Sequence, residues 1–283
     1  MSSSPVVLRC ADRTLDLSAP LVMGVLNVTP DSFSDGGRFC TVDAAVEQGV
    51  RMAEEGAALI DVGGESTRPG AKGVSAAEEL RRVIPVIEQL RTRTAAVVSV
   101  DSSKPEVLRA AAAAGAGLIN DVRALREPGA LETAAAGGCA VCLMHMQGTP
   151  ETMQRAPRYQ DVVAEVRAFL SARIAACRAA GIAAERLAVD PGFGFGKTAE
   201  HNLTLLRHLA ELAADGAPVL VGLSRKSMLG TLTQRQPAER VYGSIALAVI
   251  AALNGARIIR AHDVAPTVDA LKVATAVARL GPR

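Results

Sequence analysis

The sequence has few aromatic residues, little excess charge and no long apolar run, and each shortage excludes a class of protein. Aromatic residues make up 2% of the 283 positions and tryptophan is absent, which argues against a surface that stacks nucleic-acid bases. The 31 basic residues oppose 29 acidic ones, whereas non-specific nucleic-acid binding requires a basic excess. The longest apolar run, Ile245 to Leu253, is far shorter than a membrane span. We therefore expect a protein with no nucleic-acid or membrane partner.

The five cysteines, at positions 10, 40, 139, 142 and 177, form no disulfide framework. Cys139 and Cys142 have the C-x-x-C spacing of redox and zinc sites, but they lie in an apolar stretch typical of a buried strand. We interpret them as core residues. The N-terminus has no basic segment followed by an apolar one, so we expect no signal peptide and a cytoplasmic protein.

One pattern recurs along the chain: a helix end, a glycine, an apolar strand and a polar residue. It occurs at residues 55–61, 114–120, 137–145, 215–224 and 254–260, and strands without the glycine occur at 21–27, 97–101 and 187–190. Glycine suits the left-handed residue after a helix, and uninterrupted apolar runs are typical of parallel strands buried on both faces. Eight strand–helix units in roughly 250 residues predict an α/β fold, a (β/α)8 TIM barrel. The alternative is a doubly wound open sheet.

The chain is predicted to form a single barrel domain over residues 1–283, with a short N-terminal β-hairpin at 5–18 that closes the bottom of the barrel. Two capping boxes, Ser75–Glu78 and Ser103–Glu106, predict helix starts. Residues 242–253 are helical in composition but apolar on every face. This helix is either a homodimer interface or is covered by its own neighbours.

All eight predicted strand ends are polar, and active sites of barrels lie at this end. They are Asn27, Asp61, Asp101, Asn120, His145, Asp190, the group Ser224–Lys226, and Arg260 with His262. The acceptors come from neighbouring strands, and the cations come from the other side of the ring, where barrels commonly bind phosphate. This arrangement predicts a polar heterocycle with a phosphate tail. Asn27 offers a neutral oxygen to a Mg²⁺ ion bound mostly by phosphate and water.

Three segments are rich in glycine and proline. Residues 28–37 and 63–70 are long for connections after a barrel strand and are predicted to be mobile lids. Residues 191–198 resemble a nucleotide-binding glycine loop, but Pro191 occupies the position where the P-loop pattern requires its first glycine. We expect these glycines to let the backbone approach a flat ligand, with Phe195 as an apolar wall. The motifs of zinc hydrolases and of serine hydrolases with a nucleophile elbow are absent.

Eight colinear stretches resemble the dihydropteroate synthase family of pterin-binding enzymes over essentially the full length of the chain. They are MGVLNVTPDSF at 23–33, DVGGESTRP at 61–69, SVDSSK at 99–104, IND at 119–121, LMHMQG at 143–148, DPGFGFGK at 190–197, GLSRKS at 222–227 and RAH at 260–262. The resemblance implies a transferase of folate synthesis, with Mg²⁺ as cofactor, and a sulfonamide target. Its reaction joins (7,8-dihydropterin-6-yl)methyl diphosphate to 4-aminobenzoate and gives 7,8-dihydropteroate and diphosphate.

The resemblance also implies roles for individual residues. The pterin ligands would be Asp101, Asn120, Asp190, Lys226, Met144 and Gly222, and the diphosphate ligands would be Asn27, Thr67, Arg260 and His262, with Asn27 also on the metal. The aminobenzoate pocket would comprise Thr67, Arg68, Pro69, Phe195, Lys226, Ser227, Phe33 and Ser34. Catalytic roles would fall to Asp101, Asp35, Lys226 and Arg260, because acids stabilise a cationic pterin methylene and cations stabilise the departing diphosphate.

Two other functions remain open at this point. A pterin-binding methyltransferase that acts between a methyl-folate and a corrinoid would share the pterin acids. It has no use for a diphosphate site, and the motifs at 66–69 and 224–227 argue against it. A non-catalytic pterin-binding paralogue is expected to have lost loop or anion-binding residues, and no such loss is visible in the sequence.

Overall fold

The N-terminal hairpin closes one end of a barrel. The computed structural model describes residues 6–29, 42–66, 73–150, 152–213 and 216–279. Strands β1 (Val7–Cys10) and β2 (Arg13–Asp16) pair antiparallel. Leu8, Cys10 and Leu17 are fully buried in one cluster with the side chains that fill the barrel interior, among them Met23 and Leu118. The predicted hairpin and its position below the barrel are confirmed.

Eight parallel strands form the closed barrel, and each pairs with its neighbour in sequence until the last one pairs with the first. This closure confirms the predicted (β/α)8 barrel and excludes the open sheet. The strands are β3 (Leu21–Asn27), β4 (Leu59–Gly63), β5 (Val97–Asp101), β6 (Leu118–Asp121), β7 (Ala140–Met144), β8 (Leu187–Asp190), β9 (Val219–Gly222) and β10 (Ala256–Ala261).

The helices form the outer layer, and their apolar faces pack on the outside of the strands in a second, larger core. No helix in the described part of the chain is long and apolar enough to cross a membrane. The helices are α1 (Val42–Glu54), α2 (Ala76–Arg93), α3 (Pro105–Ala113), α4 (Ala130–Ala136), α5 (Val162–Ala179), α6 (Ala199–Arg207), α7 (Ser227–Thr233), α8 (Val241–Leu253) and α9 (Val264–Ala278).

Only one of the two predicted helix caps forms. Ser75 Oγ accepts a hydrogen bond from Glu78 N at 3.2 Å and caps α2, although the Glu78 carboxylate pairs with Arg82 at 2.7 Å instead of completing the box. Ser103 does not cap α3, because its hydroxyl donates to the carboxylate of Asp121. The second capping box was therefore wrong: a buried carboxylate competes for the hydroxyl.

The cysteine pair lies in the core, as interpreted from the sequence. Cys139 and Cys142 are buried free thiols, and burial raises the pKa of both. Three residues of separation along a strand turn the two side chains to opposite faces. Cys142 joins the barrel interior, whereas Cys139 packs in the outer core.

Helix α8 is not covered by its neighbours on every side. It packs against α9, yet Tyr242 is 83% exposed and Leu253 is 61% exposed. On α9, Val273 and Val277 are each 65% exposed. The alternative in which the barrel itself buries this apolar helix was therefore wrong, and α8 and α9 present large apolar side chains to the surroundings.

Candidate active site

The pairing of the strands places the predicted polar residues at one end of the barrel. Asn27 on β3 is in register with Gly63 on β4, Gly63 with Asp101 on β5, and Asp101 with Asn120 on β6. Gly63 lies between Asn27 and Asp101, and a side chain here would be in ordinary van der Waals contact with both. A Cβ built on it would lie 3.7 Å from Asp101 Oδ2 and 3.9 Å from Asn27 Oδ1.

Asp61 is the centre of a buried hydrogen-bond network at this end. Ser99 Oγ donates to its Oδ1 at 2.6 Å, and Asn120 Nδ2 and Arg260 Nε donate to its Oδ2 at 2.9 and 2.6 Å. The Nη2 group of Arg260 also donates to Asp101 Oδ2 at 2.8 Å. The predicted separation of acids and cations was therefore wrong for Arg260, because β10 closes the ring beside β3 and the long side chain reaches the acids of β4 and β5.

The two other acids of the rim have raised pKa values. Burial, reinforced by Asp61, raises the pKa of Asp101 to about 7, although Arg260 opposes the shift. Burial also raises the pKa of Asp190, whose Oδ1 accepts a hydrogen bond from Gly192 N at 2.7 Å. Carboxyl groups with raised pKa values in a cluster of this kind are typical of functional sites.

Lys226 and Phe195 face each other at the mouth of the barrel. Lys226 is partly buried just before α7, and its Nζ lies 4.3 Å from the centroid of the Phe195 ring. Burial and the nearby Arg260 lower the pKa of Lys226 to about 8, against the opposing effect of Asp190. Ser227 is exposed as the first residue of α7.

His262 lies just after β10 and contacts Ser224 in the loop after β9. Its Nδ1 is 3.0 Å from Ser224 Oγ. Burial, with Arg260 and Arg225, lowers the pKa of His262 to about 4, so the ring is neutral near pH 7. Arg225 in turn makes a two-point ion pair with Asp263, and this pair ties the loop after β9 to the loop after β10.

An apolar wall completes the mouth. Met144 lies at the end of β7, opposite Asp190 in the register, and clusters with Val122, Met146 and Met153 while Phe195 packs against the group. A cavity of about 370 Å³ is lined by Asp101 together with Lys104, Arg123 and Glu127, and neither Met144 nor Arg260 lines it. Gly222 is in register with Arg260 and leaves open the space that a side chain would fill next to it. A flat ring with polar edges fits these surroundings.

The residues present suit a metal that arrives with a substrate. The described ranges contain no cluster of three or more His, Cys, Asp or Glu side chains able to hold an ion. Asn27 contributes one neutral oxygen beside Asp101, and Mg²⁺ is commonly held by one or two protein oxygens together with substrate phosphates and water. The donor set therefore fits Mg²⁺ bound chiefly by a diphosphate.

Comparison with known proteins agrees with the geometry of the site. The family described as pterin binding enzyme matches residues 23–262. Dihydropteroate synthase of Escherichia coli K12 is 59% identical over 263 residues, which cover 93% of each chain. The chain belongs to the dihydropteroate synthase family. The enzyme is a dihydropteroate synthase, a transferase, and the resemblance found in the sequence is confirmed.

More distant relatives and solved structures agree with this assignment. Dihydropteroate synthase of Mycobacterium leprae is 45% identical over 277 residues, covering 95% of this chain and 97% of that one. The Xanthomonas albilineans synthase with 4-aminobenzoic acid superposes with a TM-score of 0.93 at 58% identity, over 99% of this chain and all of that one. The same protein in complex with 7,8-dihydropteroate gives a TM-score of 0.87 at 53% identity, with the same coverage.

Several predicted site residues lie outside the described residues. They are Phe33, Ser34, Asp35, Thr67, Arg68 and Pro69. The other predicted residues converge on the carboxyl end of the barrel. They are Asn27, Asp101, Asn120, Met144, Asp190, Phe195, Gly222, Lys226, Ser227, Arg260 and His262.

The sequence predictions gave no role to two buried ionic groups around this enzyme's site. Lys104 forms ion pairs with Glu65 and with the fully buried Glu79, which joins the loops after β4 and β5 to α2. Lys197 contacts His145 inside the loop after β8. The charge of Lys197 in a glycine-rich stretch was an available signal, whereas Lys104 lies in a polar stretch, and the sequence did not reveal the partners of either.

Proposed function

We propose that the rim of polar residues carries out the whole synthase reaction on (7,8-dihydropterin-6-yl)methyl diphosphate and 4-aminobenzoate. The amino nitrogen forms a bond to the pterin methylene carbon, the bond from that carbon to the diphosphate oxygen breaks, and the amine loses a proton. The observation that carries the proposal is the convergence of Asp101, Asn120 and Asp190 with Arg260 and Lys226 at one barrel end. It offers acceptors for a pterin and cations for its diphosphate in the same place.

The pterin would bind in the acidic part of the rim. Asp101 and Asp190 offer carboxylate oxygens to the N–H groups of an amino-pyrimidine edge, and Asn120 offers both an acceptor and donors. Asp61 supports the orientation of Asn120 by holding its amide nitrogen at 2.9 Å. Met144 would pack on one face of the ring, and the open space at Gly222 admits the ring beside Arg260.

The diphosphate would bind toward β9, β10 and β3. Arg260 and Lys226 supply positive charge where the leaving group develops negative charge. The low pKa of His262 indicates that its ring contributes as a neutral hydrogen-bonding group rather than as a cation. Asn27 would hold Mg²⁺ together with the diphosphate oxygens, and Thr67 is assigned to the diphosphate by family likeness alone. The bound ion would neutralise charge on the departing diphosphate.

Asp101 would also act in the chemical step. If the carbon–oxygen bond breaks before the amine attacks, the pterin methylene becomes cationic, and a carboxylate beside it stabilises that charge. Family likeness assigns Asp35 to the same task. Asp101→Asn should then retain part of the pterin affinity and lose turnover sharply. Equal losses in affinity and in turnover would contradict this role.

Phe195, Lys226 and Ser227 would form the described part of the aminobenzoate pocket, with Phe33, Ser34, Thr67, Arg68 and Pro69 assigned by likeness. The ring of the aminobenzoate can pack against Phe195, whose own ring centroid lies 4.3 Å from Lys226 Nζ. A sulfonamide has the same arylamine shape and would compete for this pocket. The Yersinia pestis synthase, 55% identical, is known in complex with a sulfonamide drug.

The test is a diphosphate-release assay with purified protein, the pterin diphosphate and Mg²⁺, with and without 4-aminobenzoate. We expect release that depends on 4-aminobenzoate, stops with a chelator and returns with added Mg²⁺. Asn27→Ala should raise the Mg²⁺ concentration needed for half-maximal rate. No aminobenzoate-dependent release by the wild-type protein would reject the proposal.

We further propose that the enzyme is a single-domain, cytoplasmic homodimer. The exposed apolar side chains of α8 and α9, including Tyr242, Leu253, Val273 and Val277, favour a second copy of the chain on this surface. The buried free thiols suit a reducing compartment. Sedimentation should give a dimer at micromolar concentration that Leu253→Glu dissociates. A wild-type monomer would remove the dimer proposal.

A further inference from the structure

Lys197 is a buried residue whose side-chain hydrogen bonds, among the described residues, go to backbone carbonyls of the loop and of His145 and to the His145 imidazole. Its side chain is 3% exposed. The ammonium nitrogen lies 3.0 Å from Gly192 O, 3.1 Å from Phe195 O and 2.9 Å from His145 Nδ1. Burial lowers the pKa of Lys197 to about 7, although Asp190 opposes the shift. The hydrogen bonds to these carbonyls and to the imidazole offset the cost of burying the group.

His145 is the neutral partner of this ammonium group. Burial and the charge of Lys197 lower the pKa of His145 to about 3, so Nδ1 is free to accept a hydrogen bond from the ammonium. The ring is held in place by an edge-to-face contact with Phe169, with 5.0 Å between the ring centroids. Lys197 is therefore bound to a fixed point on the β7 side of the barrel.

The loop that Lys197 binds has no regular backbone structure of its own. Gly192, Gly194 and Gly196 have φ angles of +70°, +78° and +62°, so the chain curls back on itself. Side chains from the connection after β7 hold two of its carbonyls: Gln154 binds Gly194 O at 2.7 Å, and Tyr159 binds Gly196 O at 2.8 Å. Lys197 binds the carbonyls of Gly192 and Phe195 and so closes the curl from inside.

The curl determines where Phe195 lies. Lys197 holds the carbonyl of this residue, while the aromatic ring lies over Lys226 at the mouth of the site. We propose that Lys197, anchored by His145, is a positioning residue that fixes the glycine loop so that Phe195 forms the wall of the aminobenzoate pocket. The proposal rests on the function given above, because it assigns to the loop one side of the second-substrate pocket.

The test is a double-mutant cycle of Lys197→Met and Phe195→Leu, with KM measured separately for both substrates. We expect Lys197→Met to raise KM for 4-aminobenzoate about tenfold and to change KM for the pterin diphosphate by less than about twofold. In the Phe195→Leu background, Lys197→Met should add little, because the ring that it positions is gone. Arg178→Met, which removes an exposed cation from the last turn of α5, is the control and should leave both KM values unchanged.

A purely structural role predicts another pattern. Lys197→Met would then lower the melting temperature and the active fraction, leave both KM values alone, and have the same effect in both backgrounds; that result would overturn the proposal. If Lys197→Met does not fold, Lys197→Arg takes its place in the same cycle, with the same two results expected and excluded. Wild-type protein without aminobenzoate-dependent release would reject the synthase proposal itself, a different outcome from unchanged KM values in an active enzyme.

Discussion

Replacing Asp61 by Asn tests whether the buried network organises the site. The side chains differ little in shape, so the change removes the charge that Arg260 pairs with at 2.6 Å. Breaking a buried ion pair from one side costs about 3 to 5 kcal/mol. Because Arg260 keeps Asp101 and its side chain is 20% exposed, we take the lower end, about 3 kcal/mol. At about 2 °C per kcal/mol for a chain of this size, the melting temperature should fall by about 6 °C.

Ser99→Ala is the matched control, because it removes one donor to Asp61 and leaves the ion pair intact. A single neutral donor to a carboxylate is worth about 1.5 kcal/mol, half the loss expected for Asp61→Asn. Thermal unfolding followed by circular dichroism measures the stability, and diphosphate release measures kcat/KM. Asp61→Asn should reduce kcat/KM more than Ser99→Ala does, since Asn120 and Arg260 lose their common partner. Equal melting temperatures and equal kcat/KM for the two variants would refute the reasoning.

Three further predictions concern single residues. Because the pKa of Asp101 is about 7, affinity for a non-reactive pterin, measured by calorimetry, should fall as pH drops from 8 to 6, and Asp101→Asn should weaken this dependence; the part that persists is expected from Lys226, whose pKa is about 8. Gly192→Ala should prevent folding or sharply lower the melting temperature, because the added Cβ would lie 1.9 Å from His145 O. Gly138 has a similar φ angle but open space around it, so Gly138→Ala should lower the free energy of unfolding by only about 1 kcal/mol. Lys104→Met should lower the free energy of unfolding by about 3 kcal/mol, because the buried carboxylate of Glu79 loses its ion-pair partner. Adding Glu79→Gln should recover part of this loss, and no recovery would contradict the pairing.

The barrel and the location of its site were predictable because both depend on local pattern. Continuous apolar runs mark strands that are buried on both faces, and the polar residue after each run marks the functional end. The bounds of Leu21–Asn27, Val97–Asp101 and Leu187–Asp190 agree with the structure residue for residue. In these segments the apolar composition strongly favours a buried strand with these bounds.

The pairing of the ionic groups was not predictable in the same way. Arg260 lies far from Asp61 and Asp101 in the sequence. Only the closure of β10 onto β3 brings its guanidinium nitrogens to 2.6 Å from Asp61 Oδ2 and 2.8 Å from Asp101 Oδ2. Lys197 was hidden for another reason. Its main acceptors are backbone carbonyls, which every residue carries, so no side-chain identity in the sequence indicates the contact. Ser103 shows the reverse case, since a local capping pattern lost to the distant Asp121.

The hairpin formed by β1 and β2 closes the lower end of the barrel. Because Leu8 and Leu17 fill the lower end of the barrel, the proposed site in the described part of the chain would be reached from the opposite end. Departing diphosphate would then use the same opening as the incoming substrates. We therefore expect an excess of diphosphate to inhibit the reaction. Val6, the first described residue, packs against the same cluster at the closed end.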